Sequence, residues 1–458
     1  MSPRPTAIDL FAGPGGLSLG LKAAGFDIVA AIERDGDAGR TYRHNVGAHT
    51  FTRDITAFGP DELRQALGWE ENHTVDLVAG GPPCPGFSLI GRSKIMDLIK
   101  KGKYGDSKDF RHGFIDDPRN RLFLEFVKFV EAFRPKYFVM ENVSGMSSYN
   151  LDGDPVIGVI QSSFGQEYNV THKIVSASDY GVPQDRKRII FIGSRNDVLQ
   201  CHIPNPTTTN QLTALDAIHD VWNVEPNNET GVVSARAGRT IGKGGAFRKR
   251  MRTWPCERED GSLQQAAPGV KTCHWTRKVN ERDQVIFPFI RSGAPSGELG
   301  GISIPPSIPR QIYGDVYPAR WESDLAPAFD AAGLRAWEDG RHFVENQEGK
   351  RWVMYDQKGF KDKMRRIRWD RAAPTVVAHL AKDGYMFIHP EHHRMITVRE
   401  AARFQSFPDA FEFKGSMSSQ FRQVGNAVPP LLAEALGKHI IMALTSEEGG
   451  EAGEQGAR

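Results

Sequence analysis

Short apolar segments alternate with helical segments over residues 1–195, and this alternation constrains the fold more than any other feature of the chain. Seven segments have the length and apolar content of buried strands: Thr6–Phe11, Phe26–Glu33, His49–Ile55, Val75–Ala79, Tyr137–Val143, Val170–Ser176 and Arg188–Gly193. Helices are predicted after the first strand and over Asp35–Asn45, Asp61–Leu67, Arg119–Phe133 and Pro155–Phe164. The pattern predicts an α/β domain in which helices cover both faces of a mainly parallel sheet.

A proline-rich turn follows the fourth predicted strand. The sequence VDLVAGGPPCPGFS, residues 75–88, runs from apolar residues into two glycines and two prolines, which force the chain to turn. Cys84 therefore lies just past the carboxyl end of a strand, where open α/β sheets bind their ligands. Such a cysteine is either a nucleophile on a rigid turn or a buried, inert thiol, and the turn alone leaves both alternatives open.

A glycine-rich turn and an acidic residue mark the ends of the first two strands. The glycines of AGPGGLSLG allow the backbone to approach a ligand and present its amides at a helix N-terminus. Their G-x-G-G spacing differs from the G-x-G-x-x-G of dinucleotide-binding turns. Glu33 ends the second strand, where an acidic side chain commonly binds the ribose hydroxyls of a nucleotide-like cofactor; the alternative is a charge at a helix N-terminus.

The chain becomes irregular in two places. Residues Phe87–Asp117 are rich in Gly, Lys and Asp, and their position after Cys84 predicts a mobile lid over the substrate. Residues 196–393 contain many prolines and glycines and predict a second, smaller, irregular, strand-rich domain. Within it Gly242–Gly314 resists regular assignment, and Ala373–Ile388 is expected to form a hairpin.

The last part of the chain returns to helical patterns. Thr397–Gln405 and Pro430–Leu444 are predicted helices. Residues 446–458 are of low complexity and predict a disordered tail.

Charge and cysteine content restrict the classes of function. The 458 residues carry a net charge of +2, which hides basic clusters at Arg248–Arg252 and Lys361–Arg371 that suit either a solvated face or nucleic acid. Cys256, Cys273 and His274 match no common zinc spacing, so no metal site is expected. With no apolar run of membrane-spanning length and no signal-peptide pattern, we expect a cytoplasmic protein without a membrane partner.

Five polar side chains lie at or just past predicted strand ends and could share one cleft: Cys84, Glu141, Gln184, Arg186 and Arg188. A cysteine attacks as the thiolate, which a cationic neighbour and the exclusion of water would favour. No His/Asn pair is placed as in a cysteine protease. A carboxyl group and two arginines beside a nucleophile suit attack on an electron-poor ring whose nitrogen gains a proton, although the arginines could equally be surface charge.

Eight motifs resemble, in order, those of the DNA (cytosine-5) methyltransferases of bacterial type: DLFAGPGGLSLG, the acid after the second strand, RDI, GGPPCPGFS, ENV, YGVPQDRKR, TVREAARFQSFPD and QVGNAVPP. Together they span nearly the whole chain, and the set is highly specific. The resemblance implies a Rossmann-like methyltransferase sheet and an enzyme that methylates carbon 5 of cytosine with S-adenosyl-L-methionine as cofactor.

The resemblance also implies roles for the residues of the predicted cleft. Cys84 would attack carbon 6 of cytosine, so that carbon 5 takes the methyl group and then loses its proton. Glu141 would hold ring nitrogen 3 and the exocyclic amine, and Asn142 would help to position the loop. Arg188 would bind the carbonyl oxygen, and Arg186 would support the same pocket or a phosphate.

A larger set of residues is implied to bind S-adenosyl-L-methionine: Asp9, Phe11, Gly13, Gly15, Gly16, Leu17, Glu33, Arg34, Asp54, Ile55, Gly81, Pro83, Asn426 and Ala427. Within this set Glu33 would take the ribose hydroxyls, and Asp54 and Ile55 would hold the adenine. Asn426 would close the site from the C-terminal side.

The family pattern divides the chain into a catalytic domain (1–195), a target-recognition domain (196–393), a hinge region (394–422), a C-terminal helix returning to the catalytic domain (423–445) and the tail (446–458). Double-stranded DNA would lie between the lid and the recognition domain, with the target cytosine flipped out of the stack. We expect a monomer, acting with a cognate restriction or defence partner or with none.

The sequence departs from the family pattern at Pro85, where many members carry Gln, and in the length and lysine content of the lid. An RNA methyltransferase of the tRNA branch is the main alternative, but that branch resembles a shorter chain with a Cys-Phe-Thr signature, and the nearest match here is Thr272-Cys273-His274. A catalytically silent DNA-binding module is disfavoured because the implied catalytic residues are present. A nicotinamide oxidoreductase is disfavoured by the G-x-G-G spacing.

Overall fold

The computed structural model describes residues 3–47, 49–83, 121–151, 154–221, 225–234, 244–268, 270–279, 287, 335–336, 343–345, 351–353, 365–382 and 384–455. The predicted nucleophile Cys84, the neighbouring Pro85 and the predicted lid Phe87–Asp117 lie outside the described residues.

A seven-stranded sheet forms the centre of the protein. Its strands are β1 (Thr6–Leu10), β2 (Asp27–Glu33), β3 (Thr50–Thr52), β4 (Leu77–Gly80), β5 (Tyr137–Val143), β6 (Tyr168–Ser176) and β7 (Lys187–Arg195). They lie in the order β3-β2-β1-β4-β5-β7-β6. The first five are parallel, and β7 is antiparallel to both β5 and β6. The predicted α/β fold with a mainly parallel sheet is confirmed, and the strand order reverses between β1 and β4, where a crevice opens.

The helices of the described residues are α1 (Gly16–Ala24), α2 (Gly36–Val46), α3 (Pro60–Leu67), α4 (Phe123–Phe133), α5 (Val156–Ser163), α6 (Ala214–Ile218), α7 (Gly245–Thr253), α8 (Val398–Phe404), α9 (Met417–Asn426) and α10 (Pro430–Gln455). Local capping fixes several of their starts. The side chain of Asp35 accepts the N–H groups of Asp37 and Ala38 at the start of α2, and Thr397 and Glu400 form a capping box at the start of α8.

Both faces of the sheet are buried, because successive residues of a strand point to opposite sides. On one face Ala7 and Val139 belong to a core that includes residues of α1, α2 and α10. On the other face Ile8 and Met140 belong to a core that includes residues of α3, α4 and α5. The predicted cover of helices on both faces is confirmed.

Helix α10 packs closely against α1, at the opposite end of the chain. A Cβ atom added at Gly20 would lie 2.3 Å from the carbonyl oxygen of Pro430, and one added at Gly437 would lie 2.7 Å from the Cβ atom of Ala24. Only glycine permits these approaches. The C-terminal helix therefore covers the same face of the sheet as the first helix.

The apolar character of this C-terminal region follows from its burial. In the described part of the chain one stretch, Met417–Ser446, is long and apolar enough to cross a membrane, but 67% of its most apolar window is buried within the protein. Helix α10 continues through Gln455, so residues 446–455 are helical where the sequence predicts a disordered tail, and 456–458 lie outside the described residues.

The hairpin predicted over Ala373–Ile388 is wrong. Ala373–Pro374 pairs in parallel with Gln184–Asp185, and Gly384–Phe387 forms a 3-10 helix. The pairing partner lies almost 190 residues earlier in the chain, so the local alternation of apolar residues does not reveal it. The other short two-stranded pairs are Asn150–Leu151 with Asp154–Pro155, Val233–Ser234 with Val270–Lys271, and Cys256–Glu257 with Leu263–Gln264. Phe343–Glu345 is the middle strand of a three-stranded sheet and pairs with Arg335–Ala336 on one side and with Arg351–Val353 on the other.

The first basic cluster lies on α7, a helix within the stretch that resisted assignment from sequence. Arg248 is 1% exposed and donates to the carbonyl oxygens of Leu215 and Asp216. Arg250 forms an ion pair with Glu434, and Arg252 forms one with Asp220. The expectation of a solvated or DNA-binding face was therefore wrong for Arg248. Arg250 and Arg252 are 42% and 40% exposed and Lys249 is exposed, so for these residues it stays a prediction.

The described part of the second basic cluster behaves in the same way. Arg366 is 5% exposed and donates to the carbonyl oxygens of Phe287, His389 and His392. Arg368 forms an ion pair of 2.6 Å with Asp370. The buried arginine of each cluster, Arg248 or Arg366, therefore satisfies buried backbone carbonyl groups, which need donors, whereas Arg365 and Arg371 are exposed.

Candidate active site

A cavity of about 780 Å³ opens at the carboxyl ends of the parallel strands, where the strand order reverses. This volume lies within the range of roughly 300–1,000 Å³ that small-molecule sites occupy. Nine of the predicted cofactor residues line it: Phe11, Gly13, Glu33, Arg34, Asp54, Ile55, Gly81, Pro83 and Asn426. Four of the predicted catalytic residues line the same cavity: Glu141, Asn142, Arg186 and Arg188.

The turn between β1 and α1 lines the cavity with residues that include Phe11 and Gly13. Phe11, Gly13 and Gly15 have φ angles of 55°, 57° and 103°, in the left-handed region. Gly15 caps α1 without a side-chain hydrogen bond, and an added Cβ atom there would lie 2.7 Å from the side chain of Val46. The amides at the start of α1 therefore remain without a side-chain cap beside the cavity.

The carboxylate of Glu33 is held at the end of β2 by two backbone amides. Gly13 N–H donates to its Oε2 over 2.8 Å, and Asp35 N–H donates to its Oε1 over 2.6 Å. Burial raises the pKa of Glu33 above its ordinary value, and these hydrogen bonds act against that shift. Since a carboxylate oxygen accepts more than one hydrogen bond, Glu33 retains capacity for the hydroxyl groups of a ligand.

Asp54 supplies a second carboxylate to the same part of the cavity. The hydroxyl and N–H of Thr56 donate to its Oδ1 over 2.8 Å and 3.1 Å, and Arg34 donates to its Oδ2 over 3.3 Å. The hydrogen bonds from Thr56 lower the pKa of Asp54 below its ordinary value. The side chain is therefore an ionised hydrogen-bond acceptor at neutral pH.

The backbone that leads to Cys84 is anchored from β5. Asn142 donates through Nδ2 to the carbonyl oxygen of Pro82 over 3.0 Å, and its Oδ1 accepts the N–H of Val143 over 2.8 Å. The amide nitrogen thus anchors the turn, and the amide oxygen binds the neighbouring backbone of β5. Cys84 follows two residues after Pro82 and lies outside the described residues.

A buried ion pair lies next to this turn. Arg188 on β7 places Nε 2.7 Å from Oε1 of Glu141 on β5, and the two side chains are only 13% and 10% exposed. An added Cβ atom at Gly81 would lie 3.2 Å from Oε2 of Glu141, so the turn passes directly over the carboxylate. The pair presents an acceptor and a cation to the same end of the cavity.

Arg186 has a different environment although it lies two residues from Arg188. It is 1% exposed and donates to the carbonyl oxygens of Val376, Gly425 and Ala427 over 3.0–3.1 Å. Burial, and then the proximity of Arg188, lowers its pKa, but an arginine remains protonated. Its guanidinium group thus ties β7 to the C-terminal segment at the cavity wall.

Gln184 does not reach the cavity, which differs from the sequence expectation. It is fully buried, donates to the carbonyl oxygen of Phe404 and the side chain of Gln405, and accepts the N–H of Val376. Alternation along the strand gives the direction of a side chain but not the element that covers it, which here comes from the far end of the chain.

Five predicted cofactor residues lie outside the cavity lining: Asp9, Gly15, Gly16, Leu17 and Ala427. Asp9 is fully buried, accepts the hydroxyl of Ser18 over 2.6 Å, and has a pKa raised to about 7, chiefly by burial. An added Cβ atom at Gly16 would lie 2.3 Å from the carbonyl oxygen of Val428.

Sequence reasoning missed several lining residues, including Asp35, Arg53, Leu122, Arg422 and Gln423. The sequence contained two indications of this, both of them proximity to residues already predicted to bind the cofactor. Asp35 lies two residues after Glu33, and Arg422 and Gln423 directly precede the Gly425–Asn426 part of the QVGNAVPP motif.

Comparison with known proteins agrees with this geometry. The sequence profile of the C-5 cytosine-specific DNA methylases matches residues 6–442. The chain belongs to this family. Enzymes of the C-5 cytosine-specific DNA methylase family use S-adenosyl-L-methionine as methyl donor.

Individual relatives match this methylase over nearly its whole length. It is 31% identical to the type II methyltransferase M.AgeI of Thalassovita gelatinovora, over 96% of this chain and 99% of the relative. It is 32% identical to the type II methyltransferase M.DdeI of Desulfomicrobium norvegicum, over 94% of this chain and 88% of the relative. A crystal structure of a prophage-encoded E. coli protein, described as a DNA modification methyltransferase, has the same fold, with a TM-score of 0.65, 22% identity and coverage of 96% and 99% of the two chains.

Proposed function

We propose that the protein methylates carbon 5 of a cytosine flipped out of a specific sequence in double-stranded DNA, with Cys84 as the nucleophile. The observation that carries the proposal is the convergence of Glu33, the Glu141–Arg188 pair and the turn at residues 81–83 on one cavity. One end of that cavity suits a nucleoside cofactor and the other suits a polar ring.

The cofactor end fits S-adenosyl-L-methionine by the chemistry of its side chains. Glu33 would accept the ribose hydroxyls, and Asp54 would accept the exocyclic amine of the adenine, whose ring would lie against Ile55. The uncapped amides at the start of α1 lie beside the part of the cavity where the methionine carboxylate would bind. When bound, the cofactor supplies an electrophilic methyl group on its sulfonium.

The other end of the cavity supplies groups for the ring. Glu141 would hold nitrogen 3 and the exocyclic amine, and Arg188 would bind the carbonyl oxygen and balance the developing charge. The Cys84 thiolate would add to carbon 6, and the electron pair displaced to carbon 5 would take the methyl group. Loss of the proton from carbon 5 and elimination of the thiolate would then restore the aromatic ring and the free enzyme.

The other cysteines are poor candidates for the nucleophile. Cys201, Cys256 and Cys273 are buried, and burial raises the pKa of each thiol, to about 12 for Cys201 and Cys256. A thiol that stays protonated at neutral pH does not attack. Cys84 is the remaining cysteine of the sequence.

Residues that do not contact the cytosine ring also have roles in the proposed reaction. Asn142 would hold the nucleophile turn through Pro82, and Arg186 would fix the wall that carries Asn426 rather than bind a phosphate. Residues 196–393 would recognise the DNA, with arginines and polar side chains at base edges and lysines at phosphates. Duplex DNA is favoured over tRNA because the family profile and the relatives are those of DNA methylases.

The names of the relatives support a proposal about the biological setting. M.AgeI and M.DdeI are named type II methyltransferases, the modification half of restriction-modification systems. We therefore propose that this enzyme acts in the cytoplasm as a monomer and protects host DNA from a cognate nuclease.

The direct test is methyl transfer from labelled cofactor to duplex DNA and, separately, to tRNA. We expect incorporation into DNA alone, and none with Cys84→Ala, which should still bind DNA because the cleft remains. Turnover by Cys84→Ala, or incorporation into tRNA alone, would refute the proposal. Bisulfite sequencing of DNA from expressing cells would then give the modified base and its sequence context together.

A further inference from the structure

The wall of the cofactor cavity contains a seam between two distant parts of the chain. Asp35, just after β2, accepts a hydrogen bond and ion pair from Arg422 on α9 over 2.8 Å, and these residues are 387 positions apart in the sequence. Both side chains line the cavity. The pair therefore links the start of α2 to α9 at the cavity wall.

The Asp35 side of the seam is connected directly to Glu33. The N–H of Asp35 donates to Oε1 of Glu33, whose other oxygen is held by Gly13. The two oxygens of the Asp35 carboxylate accept hydrogen bonds from different parts of the chain. Its Oδ1 accepts the N–H groups of Asp37 and Ala38 at the start of α2, and its Oδ2 accepts Arg422.

The α9 side of the seam is equally connected to the cavity. Arg422 lies one helical turn before Gly425 and Asn426, which also line the cavity. Next to it, Gln423 accepts a hydrogen bond of 2.7 Å from Thr41 on α2. The seam therefore joins the groups at the ribose end of the cavity to the segment that closes it.

We propose that the Asp35–Arg422 pair is a clasp that positions Glu33 and α9 for cofactor binding. The inference rests on the proposed function and adds two positioning residues to it. As the side chains are 38% and 48% exposed, the pair contributes little to global stability. Its effect falls on the local geometry of the cavity, and it should weaken as salt screens the charges.

The test is calorimetric titration of the full-length protein with S-adenosylhomocysteine, which needs no turnover. Asp35→Asn keeps an oxygen that can cap α2 but removes the charge, and Arg422→Gln removes the cation. We expect each change to raise the Kd for S-adenosylhomocysteine about fivefold, and the Kd of the double variant to be no higher than that of either single variant. Arg422→Lys should retain most of the affinity, and DNA affinity should stay within twofold of the wild type.

Asp37→Asn and Arg40→Gln are matched controls, because these residues form an ion pair on the same helix and do not line the cavity. Both should bind the cofactor product as the wild type does. Wild-type affinity in Asp35→Asn and Arg422→Gln, or multiplied effects in the double variant, would overturn the clasp while leaving the proposed function intact. Failure of the wild-type protein itself to bind S-adenosylhomocysteine would overturn both.

Discussion

The buried guanidinium group of Arg186 gives the sharpest prediction about how this site is held together. Arg186 donates to three backbone carbonyl groups, at Val376, Gly425 and Ala427, and is 1% exposed. Methionine at this position would fill a similar volume but would leave those carbonyl groups without this donor. The wall that carries Asn426 should then loosen.

The magnitude follows from the contacts. Three hydrogen bonds from a charged donor contribute about 2 kcal/mol each. Removal of a buried charge returns several kcal/mol of desolvation cost, taken as about 3 kcal/mol. Arg186→Met should therefore lower the free energy of unfolding by about 3 kcal/mol. Arg186→Lys should lower it by about 2 kcal/mol, because an ammonium group on a different stem lacks the forked geometry.

Urea unfolding followed by circular dichroism measures this change. Lys187→Met is the matched control, since Lys187 is the next residue, at the start of β7, and is exposed; it should stay within about 0.5 kcal/mol of the wild type. The Kd for S-adenosylhomocysteine should rise in Arg186→Met and not in Lys187→Met. If Arg186→Met were as stable as Lys187→Met, the three hydrogen bonds would not have the role assigned to them.

Three further predictions test the cofactor site, the buried charges and the helix packing. Glu33→Ala should weaken S-adenosylhomocysteine binding about tenfold and DNA binding far less; equal affinities in titration would remove Glu33 from the cofactor site. Despite burial, Arg403 holds the pKa of the Asp409 carboxyl group well below its usual range. The ionised carboxylate therefore stabilises the fold above its unfolded pKa of about 3.9, and this stability is lost as pH falls through the pKa of the folded state. Urea unfolding across acid pH should show the loss in the wild type and a flatter profile in Asp409→Asn. Gly20→Ala should lower the free energy of unfolding by about 2 kcal/mol, because its Cβ atom would clash with α10. Gly158→Ala on α5, where an added Cβ atom meets nothing within 4 Å, should raise the free energy of unfolding slightly. Equal melting temperatures for the two variants would contradict the close packing of α1 against α10.

The sequence was informative wherever a local pattern controls structure. The strand Tyr137–Val143 is predicted with the bounds that the structure has, because a continuous apolar run between polar segments has one interpretation in an α/β chain. Glu33, Glu141 and Arg188 were placed on the cavity by their positions at strand ends.

What the sequence did not predict depends on contacts between distant segments. The ion pairs of Arg250 with Glu434 and of Arg252 with Asp220 join residues that are distant in the sequence. Gln184 is enclosed by Phe404 and Gln405, which no strand pattern around residue 184 reveals. The role of Arg422 likewise follows only from its approach to Asp35.

The central claim is that a single sulfur atom bonds to the target pyrimidine. Duplex DNA containing 5-fluorocytosine in the recognised sequence should trap the enzyme, because fluorine on carbon 5 cannot leave as the proton does. With cofactor present, the account predicts a covalent complex that survives denaturation, with mass spectrometry locating the bond at Cys84, and no complex with Cys84→Ser. A bond through another side chain, or no bond with DNA that the enzyme otherwise methylates, would contradict it.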